Sequence, residues 1–264
     1  MQLAQSLLSA AAILASLAMP GLAQDATVKA ELAPTGTLRV GLIEAPSAGL
    51  IFVSRAKDGK PAGVTADLSA DLAQGLGLPL AVTLFPNSGA AAAALEAQTI
   101  DVSFMPVDAT RRQVLDFGPG YYDLESTYLA SDASGITDVA QVDRPGTRVV
   151  AIDGTTTFRA SARTLKQTQP VAVPSVAEAV ERMRTGQADA FALSRDTLQP
   201  IVAQVPGSRI VSGGFQQTQV AVAVPKGRPA ALAYVTMWLD RAKQSGLVRK
   251  TFDAHGFGSD AVAP

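Results

Sequence analysis

The sequence predicts an α/β protein of two lobes, each a mixed or parallel sheet flanked by helices, joined by two hinge crossings. The first observation behind this is an internal repeat. Thr37-Leu-Arg-Val-Gly-Leu-Ile43 is answered by Thr147-Arg-Val-Val-Ala-Ile152, and Leu95-Glu-Ala-Gln-Thr-Ile-Asp101 by Met183-Arg-Thr-Gly-Gln-Ala-Asp189. The second is the order within each half, where strand-like and helix-like segments alternate, as parallel pairing with covering helices requires. The third is length: 264 residues accommodate two domains of roughly 100–150 residues each. Two such bodies face each other across a cleft, and clefts between domains are where small ligands bind.

The elements follow in order. Leu7–Met19 is a short run of small and apolar residues broken by Pro20 and Gly21, and Gly21-Leu-Ala23 has the small-x-small form of a cleavage site. Residues 1–23 therefore read as an export signal, with cleavage near Ala23 and a mature protein outside the cytoplasm. Asp25 to Pro34 is a polar lead-in with little pattern. Leu38–Ile43 is a buried strand. Val64, Leu68, Leu72 and Leu76 fall at helical spacing, with Gly77 as a C-terminal stop. A strand over Leu80–Phe85, a short Ala-rich helix over Ala90–Ala97 and a strand over Val102–Met105 complete the first unit.

The second unit repeats the pattern from Arg148 to Leu193. Its clearest helix opens at Ser175-Val-Ala-Glu178, a capping box in which each side chain serves the other's backbone N–H. Crossings are expected at 128–131 and at 221–225. They divide the chain into one lobe of residues 37–129 and 225–264 and a second of 130–224. Trp238 lies at helical spacing from Ala231, Val235 and Ala242 and is expected in the core.

Composition narrows the function. Apolar residues are 47% and charged residues 17%, enough to bury a core. A net charge of −1 leaves no basic stripe for nucleic acid. The absence of cysteine excludes disulfides and thiol chemistry, and a single histidine argues against a soft-metal site. No cofactor is called for. His255 lacks an evident acidic or serine partner and reads as a surface or satisfied histidine rather than a triad member.

Ligands of open α/β sheets sit beyond the carboxyl ends of the strands. After the third strand stand Arg111 and Arg112, either of which could present a planar fork to a carboxylate. After the first strand of the second unit, Asp153-Gly-Thr-Thr-Thr157 enters a helix, whose N-terminal amides favour anions. One anion clamp on each side of one cleft is more specific than either alone.

On these residues the chain resembles the periplasmic solute-binding proteins of amino-acid-type ABC transporters, family 3, with the type II periplasmic-binding fold. The resemblance runs from about Thr37 to Gly256. It is carried by Thr37-Leu-Arg-Val-Gly, Asp58-Gly-Lys-Pro-Ala-Gly-Val-Thr-Ala-Asp-Leu68, Ile100-Asp-Val, Arg111-Arg-Gln-Val-Leu-Asp-Phe117, Tyr121-Tyr122 and Val150-Ala-Ile-Asp-Gly-Thr155. It implies that Arg111 grips a ligand carboxylate and that Thr155 and Thr156 donate to the same group. Specificity is expected from Glu44, Met105, Asp108, Ser194 and Arg195. The implied partners are a small-molecule ligand and an inner-membrane permease, with the protein itself a monomer.

Three departures from the family bear on the ligand. Glu44-Ala-Pro-Ser-Ala-Gly-Leu50 lacks the usual aromatic, and Pro106 lacks a backbone N–H. The residue that commonly pairs with a ligand ammonium is Ser194, so either Glu44, Asp108 or Asp196 substitutes or the ligand has no α-amino group. Two alternatives accompany the transport reading. One is a cyclohexadienyl or arogenate dehydratase-like enzyme with Glu44 or Asp108 as general acid; the other is a stand-alone ligand-presenting sensor.

Overall fold

The structure is a computed structural model, described for residues 20–44, 51–258 and 260–264. The run of residues 7–19 read as part of an export signal, and residues 45–50, lie outside the described residues. The first lobe begins with helix α1 (Pro20–Leu32) and strand β1 (Leu38–Ile43). A small hairpin follows, β2 (Ser54–Arg55) and β3 (Pro61–Ala62), then α2 (Val64–Leu76), β4 (Leu80–Phe85), α3 (Ser88–Glu96) and β5 (Val102–Pro106). Strand β6 (Leu115–Ser131) leads into the second lobe. There β7 (Val149–Ile152), α4 (Thr156–Thr164), β8 (Pro170–Val173), α5 (Val176–Arg184), β9 (Ala190–Ser194), α6 (Arg195–Val202) and β10 (Ser208–Ile210) succeed one another. Strand β11 (Gln216–Pro225) returns to the first lobe, which closes with α7 (Pro229–Gln244) and α8 (Leu247–Ala254).

The sheet order is β4-β1-β5-β11-β6-β9-β7-β8, with β10 on β6. Its two halves are copies. In the first, β1 lies between β4 and β5, parallel to both; in the second, β7 lies between β8 and β9, again parallel to both. Each parallel trio is flanked by an antiparallel strand, β11 beside β5 and β6 beside β9. The hydrogen-bonded ladder is continuous because β6 and β11, 17 and 10 residues long, pair with each other. Register shifts at Val220/Ala221 and Ala221/Ala223 interrupt that pairing, and such irregularities bend a strand.

Two separate sets of buried side chains make the lobes. Val40, Leu42, Leu72, Phe104, Tyr121, Trp238 and Phe252 belong to the first-lobe core. In the second, alternation along the strands feeds both faces of the sheet. Val150, Ile152, Phe191 and Leu193 pack with α5 and α6, while Val149, Ala151, Ala190 and Ala192 face Ile136, Val142 and Leu165. The core partner changes between Leu124 and Tyr128 along β6, and between Phe215 and Val220 along β11. The return strand thus enters the first-lobe core before the crossing expected at 221–225, because Val220 and Val222–Val224 pack there.

Several local expectations are revised. The stretch read as a polar lead-in is helix α1, whose Val28 and Leu32 are buried against the first lobe. Its Glu31 carboxylate accepts from the Ala231 N–H at 3.0 Å, serving the exposed amides at the start of α7. At α5, Ser175 accepts from the Glu178 N–H at 3.2 Å, but the Glu178 side chain turns to Arg182 rather than back to Ser175. His255 has an acidic partner after all: its Nε2 lies 2.9 Å from Asp67 Oδ2, a contact 188 residues apart in sequence. Trp238 is buried as expected, and its indole N–H also donates to Asp71 at 2.7 Å. No described helix is long and apolar enough to cross a membrane.

Candidate functional site

The carboxyl ends of β1 and β5 and those of β7 and β9 point toward one another, and the loops beyond them line a half-open cavity of about 60 Å³. The first lobe contributes Ile43, Glu44, Phe52, Pro86, Asn87, Ser88, Pro106 and Leu124 to its wall. The second contributes Ile152, Thr155, Thr156, Thr157, Val176, Leu193, Ser194 and Thr197. Most of this surface is aliphatic or proline, interrupted by hydroxyls.

Arg111 sits just behind that wall. It opens a short 3-10 turn after β5, fixed by a hydrogen bond from its backbone N–H to Asp108 Oδ1 at 2.8 Å. Only 4% of the residue is exposed. The guanidinium donates to the Pro106 carbonyl (2.6 Å), the Ser88 hydroxyl (2.8 Å) and, across the cleft, the Gly154 carbonyl (3.3 Å). All three acceptors are neutral. Burial, helped by the nearby Arg159 charge and opposed by Asp108, pushes the Arg111 pKa down to about 10, so it stays charged at neutral pH.

Asp108 does not line the cavity. Its second oxygen is taken by Arg159 of α4, an ion pair joining the lobes. One carboxylate thus takes the Arg159 guanidinium and the Arg111 backbone N–H, and Arg159 Nε is buried with no partner among the described residues. The lobes also touch where Asn87, the N-cap of α3, donates to the Pro174 carbonyl at 3.4 Å. Beside it, Gly89 lies so close to Gly154 that an added Cβ would stand 2.8 Å from that residue's Cα.

Thr155 is the N-cap of α4: its hydroxyl accepts from the Phe158 N–H (3.0 Å) and donates to the Ile152 carbonyl (2.7 Å). That use commits its hydroxyl to the helix cap and to Ile152. The Thr156 hydroxyl has no partner among the described residues, and the first-turn amides of α4 open onto the same space. Ser194 lines the cavity and donates to Thr197 at 2.8 Å. Glu44 also lines it, with its carboxylate held by Arg55 Nε at 2.7 Å.

Besides Asp108, two expected specificity residues stand away from the wall. Met105 is fully buried in the first-lobe core, since alternation along β5 turns it away from the cavity. Arg195 pairs with Glu125 and donates to the Gly213 carbonyl at 2.8 Å, bracing the crossing strands. Asp196, weighed as an ammonium partner, is not part of the wall; burial pushes its carboxyl pKa up, and nearby Asp260 adds to that. The sequence reading missed Ser88, Arg159 and Phe52. The last supplies the aromatic absent from 44–50, and only the spacing from β1 could have suggested it.

The pattern of bacterial extracellular solute-binding proteins, family 3, matches residues 44–258. The chain belongs to this family. Among solved structures it is similar to a P235GK mutant of ArgBP from T. maritima, at 23% identity and a TM-score of 0.74, covering 87% of this chain and 98% of that one. It is similar to the ancestral amino acid-binding protein AncCDT-1, a precursor of cyclohexadienyl dehydratase, at 26% identity and a TM-score of 0.73, covering 87% and 99%. A binding component of an ABC transporter from Wolinella succinogenes, complexed with lysine, aligns at 22% identity and a TM-score of 0.72, covering 84% and 96%. No curated protein matches the chain.

Proposed function

We propose that this family 3 protein captures a small carboxylate-bearing solute between its lobes and delivers it to an inner-membrane permease, acting as a monomer in the periplasm. The observation that carries this reading is the charge at the seam. Arg111 is buried with only neutral acceptors, and together with Arg159 it faces a single carboxylate. Two cations that share one carboxylate leave net positive charge buried at the seam, and an anionic ligand offsets its cost. The α4 amides add a second, fixed positive end on the opposite wall.

Isothermal titration calorimetry on Arg111→Ala tests it. Loss of a desolvated guanidinium–carboxylate contact should weaken binding by about 2–4 kcal/mol, roughly 30- to 1,000-fold. Unchanged affinity removes Arg111 from the ligand. Similarity to a dehydratase precursor keeps one rival reading in view. That chemistry needs a protonated acid in the cavity. Asp108 is held below the ordinary carboxylate range and Glu44 is ion-paired, so neither is set up for it. Turnover of prephenate or arogenate would reverse this judgement.

A further inference from the structure

We infer that the ligand of this cavity is a short-chain carboxylate without an ammonium group, such as a 2-oxo acid, rather than an amino acid. The inference rests on the carboxylate reading above and asks what the rest of the wall can hold. An ammonium sealed between two lobes needs a carboxylate or an equivalent set of acceptors. Among the described residues the wall carries one acidic side chain, Glu44, and its oxygens are engaged by Arg55 at 2.7 and 3.4 Å. Asp108 is engaged twice, by Arg159 and by the Arg111 N–H. At the place facing α6, the residue is Ser194, which donates its proton to Thr197.

What remains suits a neutral oxygen. Ser88 accepts from Arg111 and keeps its own proton to donate, and Thr156 and Thr197 have hydroxyl protons not committed elsewhere. These groups can donate to a keto or hydroxyl oxygen beside the carboxylate. Phe52, Leu124 and Val176 then bound the ligand's tail with apolar surface. The space of about 60 Å³ is small beside the ~150 Å³ cavity that admits benzene, and it suits a short tail.

Calorimetry with matched pairs tests the inference: pyruvate against L-alanine, 2-oxobutanoate against L-2-aminobutanoate, and 3-methyl-2-oxobutanoate against L-valine, with isobutyramide as an uncharged control. At least one oxo acid should bind, and its amino acid partner should bind at least ~10-fold more weakly, because the wall's one acidic side chain is already paired with Arg55. A smaller ratio, or preference for the amino acid, overturns the inference and leaves the carboxylate reading standing. Binding of isobutyramide as tight as that of the acids overturns the carboxylate reading itself. Silence from all seven compounds overturns the assignment to short-chain acids, and the Arg111→Ala comparison is then carried by other anions.

Discussion

Closure of the lobes can be tested by adding one methyl group. Gly89, in the first turn of α3, lies against Gly154, in the β7–α4 turn of the other lobe. A Cβ at position 89 would stand 2.8 Å from both the Cα and the carbonyl oxygen of Gly154 and 2.9 Å from its carbonyl carbon. Every one of these is backbone, so no side chain can swing aside. Ordinary contact begins at 3.4 Å, and the gap must therefore widen by 3.4 − 2.8 = 0.6 Å at this point. The Arg111–Gly154 and Asn87–Pro174 hydrogen bonds are already 3.3 and 3.4 Å long and would be lost with it. Overpacking of this kind costs about 1–3 kcal/mol, which shifts an open–closed equilibrium roughly 5- to 150-fold. Neither core is touched, so Gly89→Ala should keep its thermal unfolding while small-angle scattering reports a more open particle and calorimetry a weaker ligand. A variant that remains as compact and binds as tightly as the parent would refute the view that these two glycines meet when the site is formed.

Three further outcomes follow from other contacts. Burial pushes the Asp108 carboxyl up, but Arg159 and the Arg111 N–H outweigh it, holding its pKa below the ordinary 3.8. A depressed acid contributes stability that is complete above its free pKa and is lost as pH falls through the depressed one, so closure should be constant from pH 7 to about 4 and fail below, as read by scattering. Tyr121 is fully buried with a hydroxyl that has no partner among the described residues. Tyr121→Phe should hold or raise stability by up to ~1 kcal/mol in denaturant unfolding, and a clear loss would reveal a hydrogen bond to an ordered water. Gln98 is left-handed at φ 57°, the only non-glycine residue so placed among those described. Gln98→Gly should relieve ~1 kcal/mol of backbone strain, reduced by the lost hydrogen bond to Arg228, and chemical denaturation measures the net.

The fold was legible because its repeat is written in residues that do the same physical work twice. Arg39 N–H and Nε donate to Asp101 Oδ2, and its Nη2 to Asp101 Oδ1; Arg148 makes the same three bonds to Asp189. Each arginine also reaches the carbonyl of the residue three before its aspartate, Gln98 in one lobe and Gly186 in the other. Both of those residues are left-handed, at φ 57° and 66°. The matched spacing from Leu95 and Met183 to their aspartates is thus the trace of one clamp used in both lobes. Only a turn of that length brings the carboxylate under the first strand.

The site was less legible, for a reason the same geometry supplies. Residue type and position after a strand left Arg111 and Arg112 open, and the family resemblance selected Arg111 and pointed to Thr155 and Asp108. They could not say which partner each would take, because partners come from the other lobe. Asp108 is 51 residues from Arg159, and Arg111 is 43 from Gly154. A carboxylate beside a cleft looks like a ligand contact until the opposing helix is in place, and α4 brings Arg159 to it. The face of β5 was decidable, since Phe104 and Met105 alternate, but not which face meets the cavity. It is the crossing strands that decide it: β11 pairs with β5 through Val220–Ala223, and that register seals Met105 in the core while leaving Pro106 at the wall. Sequence periodicity thus fixes what each lobe buries within itself, whereas the character of the cavity depends on how two independently folded surfaces meet.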